Sequence, residues 1–111
     1  MESIYLDIIP RGVNPVINCS QRDEGRLAKI YLTEDGDAYE LTGQETLTLY
    51  VDNGDEIISK EITNSGSNLI EIELDTEITS KSYKNYCKIG IEDEANTIYT
   101  SAFYIAVEKA P

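Results

Sequence analysis

The sequence predicts an all-β domain, an antiparallel immunoglobulin-like β-sandwich. Three observations favour this fold. Apolar and polar residues alternate with a period of two, as in 70–75, where Ile or Leu alternates with Glu or Asp. Turn sequences separate the alternating segments at short, regular intervals. No segment of comparable length has the 3.6-residue period of an amphipathic helix.

About eight strands are expected, some of which could merge with a neighbour. Their ranges lie near 3–9, 14–20, 26–33, 38–41, 46–52, 56–63, 69–75 and 86–92, with a last strand near 97–108. Asp35-Gly36 and Asn53-Gly54 carry turn chemistry, and Asn-Gly is a strong hairpin signal because both residues tolerate positive φ. Segment 76–83 fits neither period and has room for one helical turn. The chain is interpreted as a single domain, 1–111.

The charge composition of the chain argues against two classes of partner, nucleic acids and membranes. The chain has 21 acidic and 9 basic residues and a formal net charge of −12. Phosphate backbones and anionic membranes attract Lys and Arg, so neither nucleic acid nor membrane is expected as a partner. The first ten residues lack a basic region and are interrupted by Asp7 and Pro10. No signal peptide or membrane span is therefore expected, and synthesis in a cytoplasm is favoured.

The two cysteines, Cys19 and Cys87, fall in predicted strands. In a reducing cytoplasm they are expected to be two free thiols in the core. The alternative left open is a disulfide joining two facing sheets of the sandwich.

No catalytic apparatus is recognisable. The chain has no His, no paired-cysteine zinc motif and no Gly-rich phosphate loop. Carboxylates cluster near 34–37, 52–56 and 92–94, and we interpret them as solvated turns, with a loop calcium site as the less favoured alternative. The domain is expected not to be an enzyme and to use no cofactor or metal.

Two segments are candidates for protein contacts. In the last strand, Ala102, Tyr104 and Ala106 form a second apolar row opposite the row at 103, 105 and 107. A strand that is apolar on both faces is central in an assembly or covered by a partner. In segment 20–26, the plain interpretation is a turn at Gly25. The alternative is an interface loop that uses Arg22 and Arg26 as bidentate donors to carboxylates.

Three motifs resemble a known family. They are Ser20-Gln21-x-Asp23-x-Gly25-Arg26, then Leu41-Thr42-Gly43, then Thr100-Ser101-x-Phe103-x-Ile105-x-Val107-Glu108-x-x-Pro111. In order and spacing they resemble the N-terminal domain of phage upper baseplate proteins, which also occurs at the head of phage tail-fibre and minor structural proteins. The resemblance runs from about Asn18 to Pro111 and is weaker over the first eighteen residues. It implies a β-sandwich that anchors a fibre or receptor-binding protein to the virion, often as a trimer.

The expected function is therefore that of a phage virion structural module at the tail baseplate or fibre, or on the capsid as a head fibre, assembled in the bacterial cytoplasm. Its expected partners are other virion structural proteins and two further copies of itself in a homotrimer. The alternative is a carbohydrate-binding module that recognises a host cell-surface glycan. Such a module would stack sugars on exposed tyrosines, and the candidates are Tyr31, Tyr39, Tyr50, Tyr99 and Tyr104.

Overall fold

The computed structural model describes residues 2–10, 14–81 and 83–110, and these residues form two β-sheets packed face to face. The strands are β1 (Glu2–Asp7), β2 (Val16–Ser20), β3 (Arg26–Glu34), β4 (Asp37–Ala38), β5 (Thr46–Asp52), β6 (Ile57–Ile62), β7 (Leu69–Leu74), β8 (Lys84–Glu92), β9 (Thr97–Tyr99) and β10 (Phe103–Glu108). One helical turn, α1 (Thr76–Thr79), lies between β7 and β8. The predicted all-β sandwich and the single helical turn are both confirmed.

The sheets are mixed rather than purely antiparallel. Sheet A centres on β3, which pairs with β1 on one side and with β7 and β4 on the other. Sheet B has the order β2-β10-β8-β5-β6, and β9 pairs with β8 beyond the end of β10. The prediction of antiparallel pairing is wrong for β1 with β3 and for β2 with β10, which are parallel. A tight hairpin cannot join parallel strands, and in both pairs other strands intervene along the chain.

The core follows from the period-two pattern, because alternate side chains of a strand point to opposite faces. One continuous cluster of buried side chains from both sheets includes Leu6, Ile30 and Leu74 of sheet A and Ile17, Leu49, Ile89, Phe103 and Ile105 of sheet B. Phe103 is fully buried and is the largest of these side chains. Residues between the inward positions face solvent and form the outer faces of the sheets.

The two predicted turns differ in geometry. Asp35 and Gly36 have φ of 54° and 92°, the left-handed pair that a two-residue type I′ hairpin between β3 and β4 requires. The predicted β5–β6 hairpin is also present, but its loop has four residues, 53–56. Asn53 supports that loop by accepting hydrogen bonds from the N–H groups of Asp55 and Glu56 on its side-chain oxygen.

The last predicted strand, 97–108, is divided into β9 and β10 at residues 100–102. Thr100 makes the break possible. Its hydroxyl accepts a hydrogen bond from Ile89 N–H at 3.1 Å, and its own N–H donates to Ile89 O at 3.0 Å. The hydroxyl stands in for a backbone carbonyl, so the ladder along β8 is satisfied while the chain steps out of regular strand geometry.

The two thiols are free and buried, as predicted. Burial raises the pKa of the Cys19 thiol, and it raises that of Cys87 to about 12. The two residues lie in the same sheet rather than in facing sheets, with β10 between their strands. Cys19 pairs with Val107 and Cys87 with Phe103, so they are separated by two strand spacings and four residues along β10, too far for a disulfide.

Strand β6 is an edge strand of sheet B with a charged residue on its inward side. Lys60 shares the core-facing side with Ile58 and Ile62, which are buried. Its ammonium Nζ lies 2.8 Å from Asp75 Oδ2 and 2.5 Å from Glu77 Oε1. Asp75 and Glu77 follow β7 of sheet A, so their ion pairs with Lys60 connect the two sheets at the β6 edge of the sandwich.

Candidate interaction surface

The outer face of sheet B is the main aromatic surface of the described chain, and we call it the tyrosine face. Strand register brings residues from five strands into one row across it, in the order Val16, Tyr104, Tyr86, Asp52 and Ile57. Val16 is 37% exposed, Tyr86 43% and Ile57 67%. The apolar and aromatic side chains of this row therefore remain in contact with water.

The rings of the tyrosine face are ordered against one another. Tyr86 and Tyr104 meet edge to face with centroids 5.7 Å apart, and Lys84 Nζ lies 4.5 Å above the centre of the Tyr104 ring. Tyr50 and Tyr99 form a second, tilted pair at 6.1 Å. Four tyrosine rings therefore pack in two pairs on one face.

A shallow depression of about 330 Å³ lies on the tyrosine face. We call it the tyrosine depression; its lining residues are Tyr50, Asp52, Ile57, Tyr86, Lys88 and Tyr99. Its shape depends on Gly90, which is paired with Tyr99 near the C-terminal end of β8. A Cβ atom at Gly90 would approach the Tyr50 ring to 3.1 Å and the Tyr99 ring to 3.3 Å, so any other residue would require both rings to shift by a few tenths of an ångström.

The charges of this face differ from those of the molecule as a whole. Among the described residues, neither Lys84 nor Lys88 has an ion-pair partner, although the chain carries a net charge of −12. Asp52 is the acidic residue of the depression, and one of its oxygens accepts a hydrogen bond from Gly54 N–H at 2.9 Å. One cation and one anion line the depression, which is therefore locally neutral on an acidic protein.

The structure places two of the three predicted last-strand contacts on this face. Tyr104 and Ala106 lie on the outer side of β10 and are half-buried by the neighbouring strands. Ala102 precedes β10, in the break between β9 and β10, and is buried at 8% exposure. Its side chain contributes to the packing of the break rather than to an exposed surface.

Arg22 and Arg26 lie away from the tyrosine face; Arg22 is in the turn that follows β2, and Arg26 is the first residue of β3. Both parallel strands β2 and β10 run from the Val16–Tyr104 pair toward this turn, four residues or roughly 13 Å further along. Arg26 Nε lies 2.7 Å from Asp23 Oδ2, so its guanidinium is paired within the turn. Gly25 has φ of 70°, as the plain interpretation of this segment expects, and Arg22 also has positive φ at 67°.

The Leu41-Thr42-Gly43 motif organises another turn. Leu41 is buried, and the Glu45 carboxylate accepts hydrogen bonds from the N–H groups of Thr42 and Gly43 and from the Asn64 side chain, at 3.0 to 3.1 Å. Burial alone would raise the pKa of Glu45, but the hydrogen bonds to its ionised form prevail and lower it to about 2. The carboxylate therefore stabilises the turn instead of offering a reactive group.

The five tyrosines proposed for sugar stacking do not form one site. Tyr50, Tyr99 and Tyr104 share the tyrosine face. Tyr31 lies on the outer face of sheet A, stacked on Tyr5 at 5.3 Å, and Tyr39 is partly buried against the core. Among residues 2–10, 14–81 and 83–110, no group of three or more His, Cys, Asp or Glu could hold a metal ion. No helix in that part of the chain is long and apolar enough to cross a membrane.

Sequence reasoning missed Tyr86, Lys84 and Ile57 as members of this surface. The predicted strand began at residue 86, whereas β8 begins at Lys84. Residues 87, 89 and 91 point into the core. When this alternation is continued toward the N-terminus, Tyr86 and Lys84 fall on the outer face. The row across the sheet could not be found this way, because it depends on strand order and register.

No family model and no curated protein matches the chain. Among solved structures, it is similar to the N-terminal domain of phage TP901-1 ORF48, with a TM-score of 0.74 and 10% sequence identity. The match covers 98% of this chain and all of that domain. The two domains share a fold.

Proposed function

We propose that this domain is a structural module of a phage virion that anchors a fibre or receptor-binding protein through protein–protein contacts. The observation that carries the proposal is the similarity in fold, over nearly the whole chain, to the N-terminal domain of a phage protein. The motifs between Asn18 and Pro111 that resemble phage upper baseplate proteins support it separately. We place the module at the tail baseplate, with a head fibre on the capsid as the variant.

The β10 side of the tyrosine face is the contact surface we propose. Tyr104 and Ala106 lie there between Val16 on β2 and Tyr86 on β8. A partly exposed surface that is rich in aromatic side chains and has few charges is typical of the centre of protein interfaces. Strand β2 is the edge of sheet B, so a partner covering this row could also contact the edge. The partner we propose is another virion protein or a second and third copy of the domain.

Incorporation into particles tests this proposal. A tagged copy of the domain is expressed in cells that produce the virus particles whose genes lie next to the gene of the domain. The tagged domain should then be found in purified particles, at one discrete position on the tail. Replacing Tyr104→Asp should weaken assembly by about 2 kcal/mol or more, as loss of an interface anchor does. Immunogold electron microscopy and quantitative mass spectrometry of the particles provide the measurement.

Tyr5→Asp is the matched control. It introduces the same charge at an exposed tyrosine, 71% accessible, on the outer face of the other sheet. Incorporation of the Tyr5 variant should equal that of the wild type. A wild-type domain that is absent from particles, or a Tyr104 variant that is incorporated normally while light scattering shows a wild-type monomer, contradicts the proposal.

A further inference from the structure

We propose that the tyrosine depression binds a neutral pyranose sugar, which stacks on the tyrosine rings and is oriented by Asp52 and Lys88. This inference goes beyond the anchoring role and does not depend on it. The depression lies on the β6–β5–β8–β9 side of the face, whereas the proposed protein contact lies on the β2–β10 side, and the two meet at Tyr86.

The first argument is the preorganisation of the rings. Gly90 lies inside the continuous strand β8 and does not have a left-handed φ, although a glycine inside a strand weakens it. Because Gly90 has no side chain, the rings of Tyr50 and Tyr99 can lie over the strand, close to the position that a Cβ atom would occupy. Tyrosine provides a large, amphipathic contact with little conformational entropy to lose. A sugar ring presents C–H groups on its faces, and these can pack on such rings.

The polar groups of the depression suit hydroxyls. Asp52 offers carboxylate oxygens as acceptors, and Lys88 offers an ammonium group as a donor. A sugar hydroxyl both donates and accepts, so neighbouring hydroxyls can use the two groups at once. A mostly apolar lining with a few oriented polar groups is the usual composition of small-ligand sites.

Charge selects a neutral sugar over an anionic one. The depression carries one positive and one negative side chain, while the molecule around it has a net charge of −12. An anionic glycan would gain one ion pair at Lys88 and be repelled by Asp52 and by the field of the whole domain. A neutral ring meets neither penalty.

Size favours a small ligand over a protein as the occupant. The depression spans four strands and about four residues along β8, roughly 14 Å by 13 Å. That footprint is well below the area of about 800 Å² per partner that a stable protein interface buries. Its volume of about 330 Å³ lies at the lower end of the range for ligand sites.

An NMR titration of the isotope-labelled domain with maltotriose, cellotriose and triacetylchitotriose tests the inference. At least one of these neutral trisaccharides should cause saturable shifts of the amides of Lys88, Gly90 and Tyr99. Trigalacturonate, an acidic analogue, should bind more weakly. Saturation should be unaffected by moderate salt, since stacking and hydrogen bonds to a neutral ligand are not screened.

Two variants locate the site. Tyr99→Ala removes a ring that is 49% exposed, and Gly90→Ala displaces the rings of Tyr50 and Tyr99. Tyr99→Ala should weaken binding about tenfold or more, because one stacked ring is lost. Gly90→Ala should weaken binding by a smaller factor, because it shifts the two rings by only a few tenths of an ångström. Tyr5→Ala, which removes an exposed tyrosine from the other sheet, should leave binding unchanged. Thermal unfolding of each variant confirms that it is folded.

The inference is wrong if none of the neutral trisaccharides gives saturable shifts at sugar concentrations up to about 10 mM. This range is wide enough to detect dissociation constants of up to about 10 mM. It is also wrong if Tyr99→Ala leaves binding unchanged. If Tyr99→Ala instead prevents incorporation into particles and the domain shows no sugar response, the occupant is a protein and the inference is overturned. Failure of the anchoring proposal would be seen separately, with Tyr104→Asp in the particle assay.

Discussion

The residues that carry the resemblance to phage baseplate domains have structural roles in this fold. Asp23 accepts a hydrogen bond from Ser20 N–H at 2.8 Å and pairs with Arg26, which fixes the turn after β2. Ser101 donates its hydroxyl to Ile9 O at 3.2 Å and ties the β9–β10 break to the segment after β1. Such motifs identify a fold because they maintain it, and they do not by themselves locate a binding surface.

Glu45 provides a test at this scale. Glu45→Gln should lower the free energy of unfolding at pH 7 by roughly 1 to 2 kcal/mol, since hydrogen bonds to a charged acceptor are lost or weakened. The pKa of Glu45 is about 2 in the folded state, below its ordinary 4.5, so its contribution to stability is fully present above about pH 4.5 and is lost as the pH falls toward 2. Urea unfolding across this range measures the effect.

Glu40→Gln is the control for Glu45, because Glu40 is exposed on the surface nearby. Its unfolding free energy should follow that of the wild type at each pH. A difference between wild type and Glu45→Gln that stays constant from pH 7 to pH 3 would show that the carboxylate charge is not the source of the stabilisation.

At the level of elements, Lys60 protects an edge strand. An inward-pointing charge on an edge strand hinders pairing with a strand of another molecule. Lys60 does this on β6 and also links the sheets through Asp75 and Glu77. Hydrogen bonds to Asp75 and Glu77 raise the pKa of the Lys60 ammonium group, so both roles are maintained at neutral pH.

Lys60→Met should lower the free energy of unfolding by about 1 kcal/mol, because two partly exposed ion pairs are lost. It should also cause self-association, since β6 would then present a continuous inward apolar row. Urea unfolding and light scattering measure these effects. Lys109→Met makes the same charge change at an exposed position outside the strands and should do neither. Because both variants become more acidic, self-association of both, or of neither, would refute the protective role of β6.

Strand positions were largely predictable, and their arrangement was not. The alternation in 46–52 and 69–75 reports which side of a strand is buried, and it places those strands to within a residue. The same alternation arises in parallel and antiparallel pairs, so it gave no sign that β2 pairs with β10. The division of the last strand depends on a hydroxyl of Thr100 replacing a carbonyl, a contact that alternation does not encode.

The candidate site was predictable in part for the same reason. Tyr104 and Ala106 stand out because the outer side of their strand carries no charge before Glu108, its last residue. The tyrosine depression depends on Gly90, and a lone glycine in a strand pattern indicates only a bulge or a close approach of some neighbour. That the neighbours are Tyr50 and Tyr99 follows from the pairing of β8 with β5 and β9.

On the scale of the whole molecule, the parallel pairing of β2 with β10 predicts a response to tension that depends on the direction of pulling. Force can be applied to the chain just before β2 and just after β10, in opposite directions along the strands. The two parallel strands are then sheared lengthwise past each other. The hydrogen bonds between Val16–Ser20 and Tyr104–Glu108 then bear the load together instead of one after another. A virion anchor loaded in this way would resist the drag on an attached fibre.

Force spectroscopy can compare two directions of pulling on the same domain. Handles at Asn14 and Lys109 load the β2–β10 ladder in shear, whereas handles at Thr46 and Ile62 peel the β5–β6 hairpin open from its free end. The rupture force should be higher in the first geometry, because forced unfolding is governed by the barrier along the pulled direction. Equal forces would show that another part of the sandwich yields first. The parallel β2–β10 pair therefore predicts that this small domain is mechanically strongest along the direction of these two strands.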